Sequence, residues 1–178
     1  MKKYYFLFSI ISIVLMTLSL SCGAAKPPKG SVMPCSGPEY RENSEFFRAT
    51  APGIPNTDER AARTSAIAAA RAELASSINT LLTRTTEIYQ NTFQTEEVSE
   101  TKTKIDDITR LVVAEKISGS RIICDFREVP TKKNNKYKFY ITVELAKNDI
   151  IKAMQKQMTE AEYEKFRRIY DEEMRNAR

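Results

Sequence analysis

Histidine and tryptophan are absent from the 178 residues. Without His the chain lacks the commonest general base near neutral pH, the partner that activates Ser and Cys nucleophiles, and the usual zinc ligand. Glycine is scarce, with five residues, and none of them builds a phosphate-cradling loop or a nucleophile elbow. No Cys pair stands at metal-ligating spacing. Charge of one sign does not accumulate either. The 28 basic and 23 acidic side chains leave +5, too mild for a nucleic-acid footprint. Adjacent carboxylates do occur, at Glu96–Glu97 and Asp106–Asp107. Neighbours on a helix point in different directions, so both pairs read as solvated surface. No cofactor, no metal and no catalytic residue is expected.

The one long apolar run is at the N terminus. Lys2 and Lys3 precede Tyr4–Leu20, which only Ser and Thr dilute. A bilayer core of ~30 Å needs ~20 helical residues, so the run is marginal as a permanent span. A charged start, an apolar middle and small residues at the boundary read as an export signal. In "LSLSC", Ser21 precedes Cys22, and the arrangement resembles a bacterial lipoprotein signal, cleaved just before a Cys that is then lipidated. Leu18 and Leu20 flank Ser19, where such signals usually carry Leu. The alternatives are an uncleaved anchor or an ordinary signal peptide with an incidental Cys. Several acyl chains hold a protein stably at a bilayer where one does not, at ~0.8 kcal/mol per buried CH₂. Residues 1–21 are therefore expected to be the signal and Cys22 the lipidation site, with the membrane as a partner through that lipid.

Removing residues 1–21 leaves 157 residues with 26 basic and 23 acidic side chains, a net charge of +3. That length suits one domain with a real core. Residues 22–44 hold Pro27, Pro28, Gly30, Pro34, Gly37 and Pro38, which deny regular structure, and they read as a semi-flexible tether. No acidic run follows Cys22, which favours a domain facing the periplasm from the outer membrane. Two further cysteines, Cys35 and Cys124, can pair in an oxidising compartment; the alternative is a buried thiol at Cys124 and a loop thiol at Cys35.

Periodicity organises residues 45–147 into one domain. Phe46–Thr50 alternates as a short strand closed by Gly53 and Pro55. A helix is expected from Asn56, with Asn56 and Glu59 at capping-box spacing. Ile67, Ala70, Leu74, Ile78, Leu81, Thr85 and Ile88 form its apolar face. The face begins with small residues, Ala62, Ala66, Ala69 and Ala70, suited to close approach to a sheet or to a second copy of the chain. A second helix carries Ile105, Ile108, Leu111 and Val112 and stops at Gly119, while its Thr/Ser/Lys-rich first half reads as a loop. A hairpin follows. Its first strand places Ile122, Cys124 and Phe126 opposite Ile123, Asp125 and Arg127. Its second places Tyr137, Phe139, Ile141, Val143 and Leu145 opposite Lys138, Tyr140, Thr142 and Glu144. Asn134 and Asn135 are expected to take positive φ in the turn, and Asp125 and Arg127 to pair with Lys138 or Glu144 across it. Residues 148–178 add helices, with Thr159 and Glu162 as a capping box and a stripe of Tyr163, Phe166, Tyr170 and Met174. The fold class is α+β: a small antiparallel sheet of one strand plus a hairpin, two long helices on one face, and C-terminal helices.

The segment "FFRATAPGIPNTDERAARTSAIAAARAELASSI", with the later hairpin "SGSRIICDFREV…KYKFYITVEL", resembles the LPP-twenty family of bacterial envelope lipoproteins. "MPCSGPEY" is similar to versions in Bacteroidetes. The resemblance spans Cys35 to Leu145 and implies an exported, often lipidated protein with a binding or assembly role and no catalytic residues. It leaves the C-terminal helices outside.

Two functional classes remain open. One is a non-catalytic binding or assembly module of the cell envelope with an envelope protein as partner, its candidate surface the aromatics Tyr137, Phe139 and Tyr140. The other is an envelope enzyme such as a hydrolase, or alternatively a self-assembling structural lipoprotein with homo-oligomers formed through the Ala-rich helix.

Overall fold

The alternation read from Tyr137 to Leu145 produces the middle of a sheet. In the computed structural model, which describes residues 33–93 and 96–176, β1 (Phe46–Pro52), β2 (Arg121–Glu128) and β3 (Lys138–Ala146) form a three-stranded sheet in the order β1–β3–β2. Both pairings are antiparallel. The chain is thus an α+β protein. One face of β3 (Phe139, Ile141, Val143 and Leu145) is buried, and across from it stand Phe47, Ala49 and Ala51 of β1. Those are the period-two positions that a strand turns to a single side.

Helix α1 (Glu59–Phe93) has 35 residues and a length of about 52 Å. It starts at Glu59 rather than at Asn56. Asp58 is the cap, its Oδ1 accepting from the backbone N–H of Arg60 at 2.8 Å and of Ala61 at 3.2 Å. Asn56 is drawn away by the sheet, bridging its backbone to Tyr137 at 2.8 and 3.1 Å. The buried stripe runs Ala62, Ala66, Ala70, Leu74, Ile78, Leu82 and on to Thr85, Thr86 and Tyr89. Repeated steps of four overshoot a full turn by about 40° each, so the stripe winds around the helix. Its first half lies on the sheet: a Cβ added at Gly53 would sit 2.7 Å from both Ala62 O and Ala66 N. Its second half faces other helices, and Leu82 rather than Leu81 is buried.

Helix α2 (Glu96–Ser118) is continuous through the Thr/Ser/Lys-rich segment expected to be a loop. It packs along α1 and against α3 (Lys147–Gln155), contributing Ile105, Ile108, Val112 and Val113 to the core, while Leu111 is exposed. Gly119 N–H bonds Lys116 O at 3.0 Å, but the residue is not left-handed and has room for a Cβ. Helix α4 (Glu160–Asn176) begins with the Thr159–Glu162 capping box, in which Thr159 N–H donates to Glu162 Oε2 at 2.8 Å and Glu162 N–H to Thr159 Oγ1 at 3.4 Å. Burial alone would raise the Glu162 pKa; the Thr159 bonds and Lys104 outweigh it and hold the carboxyl below its ordinary value. Ile150, Ile151 and Met154 of α3 and Phe166, Ile169 and Tyr170 of α4 belong to the same core as the sheet, so residues 148–176 complete the domain rather than extend it. No described helix is long and apolar enough to cross a membrane.

Two local expectations are corrected. The turn between β2 and β3 uses no positive φ at Asn134 or Asn135. It is closed by reciprocal Thr131–Asn134 backbone bonds of 2.8 and 3.1 Å, with Thr131 Oγ1 also accepting from Asn134 N–H. In β2 the register shifts between Ile122 and Cys124. One extra residue, Ile123, flips the alternation, so Ile122 shares a face with Asp125 and Arg127, and only Cys124 and Phe126 stay on the other.

Candidate functional site on the strapped face of the sheet

One face of the sheet carries the helices; residues 33–41 cross the other. Cys35 is bonded to Cys124 of β2, 89 positions away, with Cα atoms 5.9 Å apart, inside the usual range for a disulfide. Cys35 has φ 59°, a left-handed conformation that costs an L-residue roughly 1–2 kcal/mol. Its neighbours hold it there. Cys35 O accepts from Thr50 Oγ1 at 3.2 Å and from Thr142 Oγ1 at 3.5 Å, and the two hydroxyls lie 2.7 Å apart. Pro38–Tyr40 forms a 3₁₀ turn beyond it. The second half of the expected tether is therefore not a spacer: its prolines prevent a helix or strand, but not packing against a sheet.

Beneath this strap sits Glu144, on the central strand β3. Its carboxylate accepts from Arg48 Nε at 2.9 Å and from Arg121, residues that flank it on β1 and β2 by register. The Glu144 side chain is 3% exposed, Arg48 14% and Arg121 73%. Burial alone would raise its pKa; the bonds from Arg121 and Arg48 outweigh that and lower it. Arg48 also donates to Glu39 O at 2.9 Å and Arg41 O at 3.1 Å, so one guanidinium ties the strap to the buried carboxylate. The arrangement binds its own chain. A carboxylate held ionised between two arginines has no basicity to offer a substrate.

Several sequence expectations separate in space. Tyr137, Phe139 and Tyr140 do not share a groove. Phe139 is buried under α1, Tyr137 is half-buried beside the core, and Tyr140 lies on the strapped face, edge-on to Phe126 at 6.2 Å. Alternation along a strand forbids the three from facing one way. Asp125 and Arg127 do not pair across the hairpin. They reach α1, Asp125 with Arg63 at 2.8 Å and Arg127 with Glu59 at 2.6 Å. Of the small residues that open the α1 face, Ala62, Ala66 and Ala70 are fully buried inside the chain's own core and Ala69 is half-buried. Asp107 pairs with Arg110 at 3.9 Å, and no described group of three His, Cys, Asp or Glu is placed to hold a metal. The Glu96 and Glu97 side chains and Cys22 lie outside the described residues.

The sequence reading named Glu144 only as a partner for Asp125 or Arg127, and it did not single out Arg48 or Lys147. Lys147, first residue of α3, is 7% exposed. Its Nζ donates to Glu42 Oε1 at 2.6 Å and lies 4.8 Å over the Phe47 ring. A Glu in mid-strand with Arg opposite on both sides is the signal that was available, but it needs the register to be read.

The chain matches no family model, no curated protein and no solved structure.

Proposed function

We propose that this chain is an exported lipoprotein held to the outer membrane through Cys22, its domain on the periplasmic side, acting as a non-catalytic binding or assembly module. The observation that carries the reading is the Cys35–Cys124 bond set beside the export-type N terminus. Disulfides form and persist outside the reducing cytoplasm. The bond also alters the geometry of anchoring. Only the residues between Cys22 and Cys35 separate the lipid from the point where the chain is fastened to β2, a reach of at most about 45 Å if fully extended. The domain thus works close to the bilayer rather than at the end of a long leash. The resemblance to envelope lipoproteins of the LPP-twenty type belongs to this same reading.

A partner is best sought where large apolar side chains stand in solvent. Phe126 and Val129 on the hairpin and Leu111 on α2 are large apolar side chains left 45%, 56% and 70% exposed. Photo-crosslinking residues placed at these three positions in intact cells are expected to give discrete adducts with an envelope protein, identified by mass spectrometry. Adducts with lipid alone, or none at any of the three, would overturn the partner claim. In the same cells, blocking the lipoprotein peptidase or replacing Cys22 with Ala is expected to release the chain from the membrane fraction or trap its precursor.

A further inference from the structure

A cleft at the end of the sheet holds groups that the fold leaves unused. Ser44–Phe46 and Ala146–Asn148 form one wall, and α3 and α4 the other, around a volume of about 530 Å³. That is the size of small-molecule sites. Tyr170 lines it and is 3% exposed, yet its hydroxyl has no hydrogen-bond partner among the described residues. A buried O–H left unpaired costs about 1–3 kcal/mol, and native proteins keep few. Packing does not explain it, because Phe would fill the same space without the penalty.

The charges around the cleft fall into two sets. Lys147 is engaged by Glu42 at 2.6 Å, and Arg167 by both carboxylate oxygens of Asp171 at 2.9 Å. Glu45 and Arg175 also line the cleft, both exposed, and neither side chain makes an ion pair or hydrogen bond with a described residue. What remains is one carboxylate, one guanidinium and one phenol, with Phe46, Ile151 and Met174 as apolar wall. A dianion such as phosphate would meet Glu45 and Asp171, with Lys147 and Arg167 already engaged and only Arg175 to spare. A simple cation would meet Lys147, Arg167 and Arg175.

We infer that this cleft is a binding site for a small zwitterion with an apolar body, an amino acid or short peptide with both termini free. The ammonium end pairs with Glu45 and the carboxylate with Arg175, the Tyr170 hydroxyl donates to the same carboxylate, and an apolar side chain lies against Ile151. The hydroxyl is sealed from solvent, so a side chain must yield on binding. Met174, one turn along α4 from Tyr170, is the flexible candidate in the lining: it is half-buried, has three rotatable bonds, and its Sδ lies 3.9 Å from Lys147 Nζ. The site goes beyond the anchored-module reading and does not depend on what happens at Cys22.

The test uses the full chain in detergent, titrated with the tripeptide Ala-Leu-Ala and followed by the methyl resonances of Ile151 and Met174. The free tripeptide is expected to shift both. Acetylating its amine or amidating its carboxylate should each weaken binding about tenfold, the loss of one charge-assisted bond. Arg175→Gln should shrink the penalty for amidation but leave that for acetylation, and Glu45→Gln the reverse. Tyr170→Phe should weaken binding several-fold while leaving the fold more stable. Equal affinity for the capped peptides, equal shifts with acetate or phosphate alone, or no shift at millimolar tripeptide would each overturn the assignment.

Discussion

Opening the Cys35–Cys124 bond is the perturbation whose size can be worked most fully. The bond closes a loop of 89 residues. The chain-entropy model gives about 4.6 kcal/mol for a loop of that length at 25 °C. Measured values more often fall at ~2–4 kcal/mol, and here one offset is visible: releasing Cys35 relieves its left-handed backbone, at φ 59°, worth roughly 1–2 kcal/mol. A net loss of about 3 kcal/mol follows from those two terms. For a domain of this size each kcal/mol moves Tm by roughly 2–4 °C, so a drop of about 6–12 °C is expected. Thermal unfolding by circular dichroism, with and without reductant, reads it directly. Cys35→Ser, Cys124→Ser and the double variant should all match the reduced protein and no longer respond to reductant. A second signature is local. Without the bond the strap should lift, and the Tyr40 and Arg41 amide protons should exchange faster than the global loss alone requires, while those of β3 quicken only by that loss. An unchanged Tm on reduction, or two alkylatable thiols in the denatured but unreduced protein, would refute the reasoning.

Other perturbations address the sheet and helix contacts. Glu144→Gln removes the charge shared by Arg48 and Arg121 and should cost about 2 kcal/mol at neutral pH, less than a fully buried pair because Arg121 is 73% exposed. The folded-state pKa of Glu144 is depressed below 4.5, so its contribution is fully present above that value and lost as pH falls through the lower one. The wild-type and Glu144→Gln stability curves should converge in acid, and a gap that widens instead would contradict the assignment. Gly53→Ala places a methyl 2.7 Å from two backbone atoms of α1 and should destabilise by roughly 1–3 kcal/mol, read by chemical denaturation. Asp58→Ala should lose about 1 kcal/mol of helix capping. Asn56→Ala should lose less, whereas the reverse order would restore Asn56 as the cap.

What was legible in the chain, and what was not, follows from how each feature is encoded. The β3 strand writes its burial in every second residue from Phe139 to Leu145, so one window of sequence suffices. The Thr159–Glu162 box is equally local, because both bonds close within four residues. The Ile123 bulge leaves no compositional trace: one inserted residue flips the alternation, and only the partner strand shows where. The winding stripe of α1 was read as a fixed face through Ile67, Leu81 and Ile88, because a seven-residue template hides a slow rotation that 35 residues accumulate. The strap is the largest gap. Pro and Gly in residues 27–38 exclude helix and strand, and that exclusion passed for freedom. Its contacts are made by Cys35 O and by backbone carbonyls at Glu39 and Arg41, groups every residue has. The candidate site suffered likewise. Three aromatics close in sequence look like a cluster, but the strand sends them to different sides, while Glu144 and its arginines come from three strands.

The most direct measurement is the intact mass of the N-terminal peptide of the protein recovered from its own cells. The account predicts a chain that starts at Cys22 and carries a diacylglyceryl group with a further acyl chain. A chain that retains residues 1–21, or one that begins near residue 22 with an unmodified thiol in a soluble fraction, would contradict it.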